Sequence, residues 1–197
     1  MKAYYERRAR EYDEWYRGVG RYAERERPGW EQEVEQLSAA LAALPPARTL
    51  DVACGTGFLT RHLRGLVVGL DQSAAMVAIA QSRLPDGLAL VGDGLVLPFA
   101  DDAFDRVFTG HFYGHLPPDE RARFLAEAAR VARELVVVDT AFRPGVLAEG
   151  YEERRLSDGS LHRVFKRYLV AAELAGELGG EVLHDGRWFV AVRGLLR

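Results

Sequence analysis

An apolar strand that runs into a glycine turn, followed by a second strand that ends on an acid, leaves this chain few folds to choose from. Residues 50–57 read Leu-Asp-Val-Ala-Cys-Gly-Thr-Gly, and the run Leu66-Val67-Val68-Gly69-Leu70 leads into Asp71, twenty positions after Asp51. Strand, tight turn, helix, strand and terminal acid are the parts of a pocket for a nucleoside cofactor. Glycine in the turn lets the backbone approach a ligand where a Cβ would collide. The acid is placed to accept two hydrogen bonds from ribose hydroxyls.

Alternation of strand and helix continues beyond this unit. Strands are expected at Thr49–Ala53, Leu66–Leu70, Leu88–Val91, Phe104–Thr109 and Leu135–Asp139. Helices are expected at Phe58–Arg64, from an N-cap at Ser73 to Leu84 before Pro85-Asp86-Gly87, and over Pro117–Ala132. This order predicts an α/β fold with a doubly wound, mostly parallel sheet. After a helix near Val170–Leu178, two strands at Glu181–His184 and Arg187–Val192 flank Asp185-Gly186, a tight-hairpin signal that reverses the last strand. Two helices, 3–17 and 29–43, form an N-terminal cap, with Tyr5, Ala9, Tyr12 and Tyr16 on one face of the first. The 197 residues divide as a single domain. Residues 1–45 are the cap, 46–140 the cofactor-binding core, 141–166 a polar connector open to substrate, and 167–197 the C-terminal helix and hairpin.

Composition removes several classes of function. The one cysteine, Cys54, excludes an intrachain disulfide and a cysteine-cluster metal site, and no other metal-ligand spacing stands out. No apolar run approaches the ~20 residues of a membrane span, and the N-terminus lacks the apolar core of a signal peptide, so a cytoplasmic protein is expected. Net charge is −3 with acids and bases interspersed, which favours a small-molecule partner over nucleic acid. Oligomeric state is not legible.

Four segments together resemble the class I S-adenosylmethionine-dependent methyltransferases, in particular the small-molecule group that includes quinone-biosynthesis enzymes. They are Leu50–Gly57, Gly69-Leu70-Asp71-Gln72-Ser73, Gly92-Asp93-Gly94 with Leu97-Pro98-Phe99 and Phe104-Asp105, and His111–Leu116. The resemblance covers about residues 45–140 and, in outline, the terminal hairpin. It implies a Rossmann-like, seven-stranded sheet with a reversed C-terminal strand, S-adenosylmethionine as cofactor and S-adenosylhomocysteine as product.

The resemblance also assigns positions. Asp51, Ala53, Cys54, Gly55 and Gly57 form the loop beside the amino acid end of the cofactor. Asp71 and Gln72 lie at the ribose. Asp93 takes the adenine amine, with Gly94 leaving room for the ring and Leu95 and Met76 against its faces. Tyr12, on a lid formed by the first helix, contributes to the pocket. Several of these have plainer readings: Asp51 as a structural acid, Asp93 as the head of an Asx turn, Leu95 and Met76 as core. Cys54 is not read as a nucleophile, since nothing nearby activates a thiolate. His111 and His115 follow strand four and are candidates for a general base or for a polar pocket wall. Arg154, Arg155 and His162, in the connector, are placed either to meet an anionic substrate or to form a solvated loop.

The expected function is methyl transfer by direct in-line displacement to a small acceptor. Two other readings stand beside it. A nicotinamide-dependent oxidoreductase would want a glycine or alanine where this chain has Thr60. A non-catalytic binder of S-adenosylmethionine or S-adenosylhomocysteine would share the motifs.

Overall fold

Apolar runs of the sequence become strands laid side by side. The computed structural model describes residues 2–84 and 86–196, so Pro85, the expected helix stop, lies outside the described residues. Helices α1 (Lys2–Arg8), α2 (Glu14–Arg17) and α3 (Trp30–Ala43) precede β1 (Thr49–Val52) and β2 (Val67–Asp71). Then follow α4 (Ala74–Arg83), β3 (Leu88–Val91), β4 (Arg106–Gly110), α5 (Pro118–Val131) and β5 (Glu134–Thr140). The C-terminal part holds β6 (Glu149–Arg155), β7 (Leu161–Arg167), α6 (Ala171–Leu178), β8 (Gly180–Asp185) and β9 (Phe189–Leu195).

Seven strands form one sheet in the order β3-β2-β1-β4-β5-β9-β8. β9 alone runs against its neighbours, antiparallel to both β5 and β8. This is the doubly wound, Rossmann-like sheet with a reversed C-terminal strand. Alternate residues of β5 face opposite sides. Leu135 and Val137 enter a core with Leu50, Val52, Leu70 and Phe124. Val136 and Val138 enter another with Leu37, Leu41, Phe108 and Phe189. Because β1, β2 and β4 are parallel and in register, their carboxyl ends bring Ala53, Asp71 and Gly110 to one edge of the sheet, where folds of this kind bind ligands.

Two expected helices are corrected. The helix expected over 3–17 is broken into α1, a 3-10 turn at Ala9–Glu11 and α2. A straight helix of that length would run about 22 Å and could not wrap the sheet edge. Instead Asp13 is drawn to the glycine loop: its carboxylate accepts from Thr56 Oγ1 and from Arg83 Nη2, each at 2.5 Å. The expected helix Phe58–Arg64 is only a 3-10 turn, Thr60–His62. Here the Thr60 hydroxyl turns inward to donate to Asp51 Oδ2 at 2.5 Å. The connector contains a two-stranded antiparallel hairpin, β6–β7, which packs over the turn at Tyr113–His115.

The terminal hairpin forms, although neither Asp185 nor Gly186 has the positive φ that a type I′ turn requires at both central residues. A carboxylate shapes the turn: Glu33 Oε1 on α3 accepts the N–H groups of Trp188 and Phe189, each at 2.8 Å. Gly186 is needed for that approach, since an added Cβ would stand 2.0 Å from Glu33 Oε1. Replacing Glu33 by Ala should cost about 1–3 kcal/mol for each amide left bare. Urea denaturation of the Glu33→Ala variant checks this; unchanged stability would show that the turn holds itself.

Candidate active site

The loop after β1 takes its shape from backbone angles that most side chains resist. Ala53 (φ 59°), Gly55 (φ 55°) and Gly57 (φ 74°) are all left-handed. The carboxylate of Asp71, at the tip of β2, stops this loop from relaxing. Its Oδ2 accepts the Gly55 N–H at 3.0 Å and its Oδ1 accepts the Ser73 N–H at 2.9 Å. Burial raises the Asp71 carboxyl above the usual range, opposed by these two amide bonds. Each oxygen keeps a lone pair for a ligand hydroxyl.

A cavity of about 280 Å³ opens above the loop. Of the expected cofactor residues, Tyr12, Ala53, Gly55, Asp71, Gln72, Asp93, Gly94 and Leu95 line it, as does His111. Asp93 forms the Asx turn, accepting the Leu95 N–H on Oδ1 at 2.9 Å, while the exposed carboxylate still borders the cavity. Gly94 also serves packing: an added Cβ would stand 2.8 Å from Val52 Cγ1 and 3.0 Å from Phe112 Cζ, so glycine lets the wall close.

Met76, Cys54 and Gly57 are not in this lining. Met76 is wholly buried on the inner face of α4. Cys54 faces β2, where Gly69 makes room for its Sγ, and burial pushes its thiol well above the ordinary value, so it is no nucleophile. Gly57 lets the loop pass α4: an added Cβ would lie 3.3 Å from Ala80 Cα. Tyr5, Gly110, Phe112, Leu116 and Glu120 line the cavity without having been singled out as cofactor contacts. The signal for most of them was position alone, just after β4.

Asp51 lies one layer deeper. It is 1% exposed and holds Thr60 on Oδ2, but its buried Oδ1 has no hydrogen-bond partner. Burial pushes its carboxyl up to about 8. Beside it is a void of about 10 Å³ that shares Tyr12, Ala53 and Gly110 with the cavity. A lone buried acceptor reached through the glycine loop suits an ammonium group, and the Asp71 tip suits a ribose. The expected S-adenosylmethionine therefore fits the donor and acceptor set of this edge. A dinucleotide fits it less well, because no helix N-terminus follows the loop to hold a pyrophosphate.

A second cavity, of about 730 Å³, meets the first at Tyr5, Tyr12 and His111. Its roof comes from the N-terminal segment and its far wall from β6 and β7. His111 itself is left-handed (φ 58°), held by its N–H donating to Val138 O at 2.8 Å. Its Nδ1 faces Thr140 Oγ1 at 3.4 Å and Asp139 Oδ1 at 3.6 Å, while its buried Nε2 is unpartnered. His115 Nδ1 donates to Phe165 O at 2.6 Å, which leaves the lone pair on Nε2. Burial lowers both imidazoles, His115 well below the ordinary value of 6.5, so both are neutral near pH 7. Beneath them Asp139 accepts from Lys166 Nζ, Thr140 N and Gly114 N. Burial alone would raise the Asp139 carboxyl, but the Lys166 ammonium holds it far below the usual range. Of the connector residues, Arg154 and Arg155 line this second cavity, and His162 instead packs against Tyr4, the rings tilted by 58° with centroids 5.2 Å apart.

Known proteins share both the motifs and the topology. Residues 50–136 match the methyltransferase domain family. Over 109 residues the chain is 36% identical to a demethylmenaquinone methyltransferase of Thermotoga maritima, covering 53% of this chain and 45% of that protein. The match thus spans about half the length of that quinone relative. A longer match, 34% identical over 185 residues, joins 79% of this chain to 70% of a dTDP-3-amino-3,6-dideoxy-alpha-D-glucopyranose N,N-dimethyltransferase of Streptomyces fradiae. Among solved structures, the DhpI-SAM-HEP complex superposes with a TM-score of 0.71 at 27% identity, over 97% of this chain and 94% of that one. The glycine loop, the acid at the tip of β2, the reversed β9 and these matches have one common source: the chain belongs to the class I S-adenosylmethionine-dependent methyltransferases.

Proposed function

We propose that the protein transfers a methyl group from S-adenosylmethionine to a small-molecule acceptor by direct in-line displacement. One observation carries this reading: two cavities meet at Tyr5, Tyr12 and His111, one with a nucleoside-type set of acceptors and one walled by aromatic and basic side chains. A protein that only bound the cofactor has no use for the second cavity. When bound, the cofactor supplies an electrophilic methyl group on a sulfonium. The chain supplies grip, alignment and a dry path.

Asp71 takes the ribose hydroxyls and Asp93 the adenine amine, with Gln72 and Leu95 beside them. Asp51, through its unpartnered oxygen, takes the amino end, and Ala53, Gly55 and Gly57 shape the loop between. Tyr5 and Tyr12 roof the junction. Trp15, Trp30 and Trp188 border the acceptor space, excluding water and limiting the acceptor to approaches in line with the methyl. Of the two histidines, His115 is the one whose tautomer is fixed, its Nδ1 donating to Phe165 O and leaving the lone pair on Nε2 to take a proton. His111 is the wall between the cavities. Residues 141–166, which include β6 and most of β7, act as the substrate-facing connector of a single domain. Among the described residues no helix is long and apolar enough to cross a membrane, which is compatible with work on a small cytoplasmic metabolite. An acceptor space bordered by Trp15, Trp30 and Trp188 in a chain of net charge −3 favours such a molecule over nucleic acid.

Hydrogen bonds to a charged group contribute about 1.5–3 kcal/mol each. Asp71→Ala should therefore weaken S-adenosylmethionine at least about tenfold in calorimetry, with the far-UV spectrum unchanged; wild-type affinity in that variant would refute the ribose assignment. For His115 the active form is the neutral one, and its lowered pKa keeps it neutral as pH falls through 6.5. Methyl transfer from labelled cofactor to a metabolite pool should thus stay level near neutrality and decline only below that value. His115→Gln should slow transfer by about a hundredfold or more while S-adenosylhomocysteine still binds. A rate like the wild type's would remove His115 from the chemistry.

A further inference from the structure

The second cavity is electropositive in a chain that is not. Seven basic and three acidic side chains line it, although the whole chain carries a formal charge of −3. Two of the positive charges are paired, Lys166 with Asp139 and Arg154 with Glu152. Arg8 and Arg143 are not: among the described residues neither forms an ion pair with a carboxylate. Arg8 is only 7% exposed, and its Nη1 donates to Tyr4 Oη at 2.9 Å. Its guanidinium lies 4.8 Å from the Tyr12 ring centroid. Arg143 lies 4.5 Å from the Trp188 ring centroid, and its buried Nη1 has no hydrogen-bond partner. Arg27 repeats the arrangement, 3.8 Å from the Trp30 ring centroid with Nη1 donating to Trp15 O at 2.8 Å.

Aromatic rings stabilise a cation through the ring quadrupole, but they leave the guanidinium's in-plane donors unused. A desolvated guanidinium with free donors is costly unless something anionic completes it. Its planar fork matches an oxyanion with two oxygens, carboxylate or phosphoryl. A neutral acceptor would leave these donors bare, whereas an anionic one would also oppose the sulfonium charge across the junction. We infer that the acceptor is a small organic acid, its oxyanion held by Arg143, whose buried Nη1 is unpartnered, in the positive surroundings to which Arg8 adds, and its apolar body against Trp15, Trp30 and Trp188. This rests on the methyl-transfer reading and specifies its substrate class.

The test is calorimetry on the full chain, with S-adenosylhomocysteine titrated first. Failure of that step would sink the methyl-transfer reading and the inference with it. Benzoate, phenyl phosphate and the neutral benzyl alcohol are then titrated into the S-adenosylhomocysteine-loaded protein. At least one acid is expected to bind about tenfold or more tightly than benzyl alcohol, and more weakly as salt is raised. The stronger of the two acids identifies the oxyanion as carboxylate or phosphoryl. Arg143→Gln should cost that acid about tenfold while S-adenosylhomocysteine affinity is kept. Binding of benzyl alcohol as tight as that of either acid, no binding of either acid, or no loss in a folded Arg143→Gln variant would each overturn the inference. If that variant does not fold, the salt series on the wild type decides, and acid binding indifferent to salt counts against the inference.

Discussion

The bond between the Asp71 carboxylate and the Gly55 amide is the contact on which the rest of the edge depends. It joins the tip of β2 to the loop after β1. A buried acid is costly, and two amide donors offset much of that cost. With Gly55 held, Ala53 and Gly57 keep left-handed angles that the loop would otherwise lose. The same clamp leaves Asp51 beneath the loop with one oxygen unpartnered. A small distortion at one amide would therefore spread to both acids that face the expected ligand.

Around this edge the N-terminal segment behaves as part of the site. Asp13 ties it to Thr56 and Arg83, and Glu6 accepts from Ser73 Oγ at 2.6 Å and from Ala75 N at 3.2 Å. The segment is thus fastened to both strand tips, and Tyr5 and Tyr12 hang over the junction of the two cavities. On the opposite side, the buried pair Asp139–Lys166 joins β5 to β7. That pair carries the hairpin to the wall of the second cavity and places neutral histidines beside a fixed charge.

Much of this was legible in the amino-acid sequence, and for local reasons. Apolar runs of strand length, the Leu50–Gly57 turn and the acid at Asp71 are short-range patterns, so the parallel core followed from them. The reversed β9 followed from turn residues, although Glu33, remote in sequence, shapes the turn. What stayed hidden depended on long-range contacts. Helical spacing at 3–17 gave no sign that Asp13 would be pulled onto Thr56. Nothing in Phe58–Arg64 revealed that Thr60 would turn inward to Asp51. Met76 and Cys54 sit close to the motif in sequence, yet their side chains point into packing and not into the cavity. The polar connector concealed a hairpin because its alternating exposure leaves few buried positions, among them Val164 and Lys166.

A crystal structure of the protein with S-adenosylhomocysteine tests the central claim most directly. The account places the ribose hydroxyls on the Asp71 carboxylate, the adenine beside Asp93, and the amino end over Gly55 towards the free oxygen of Asp51. A molecule seated away from the β1–β2 edge, or a ribose turned from Asp71, would contradict it.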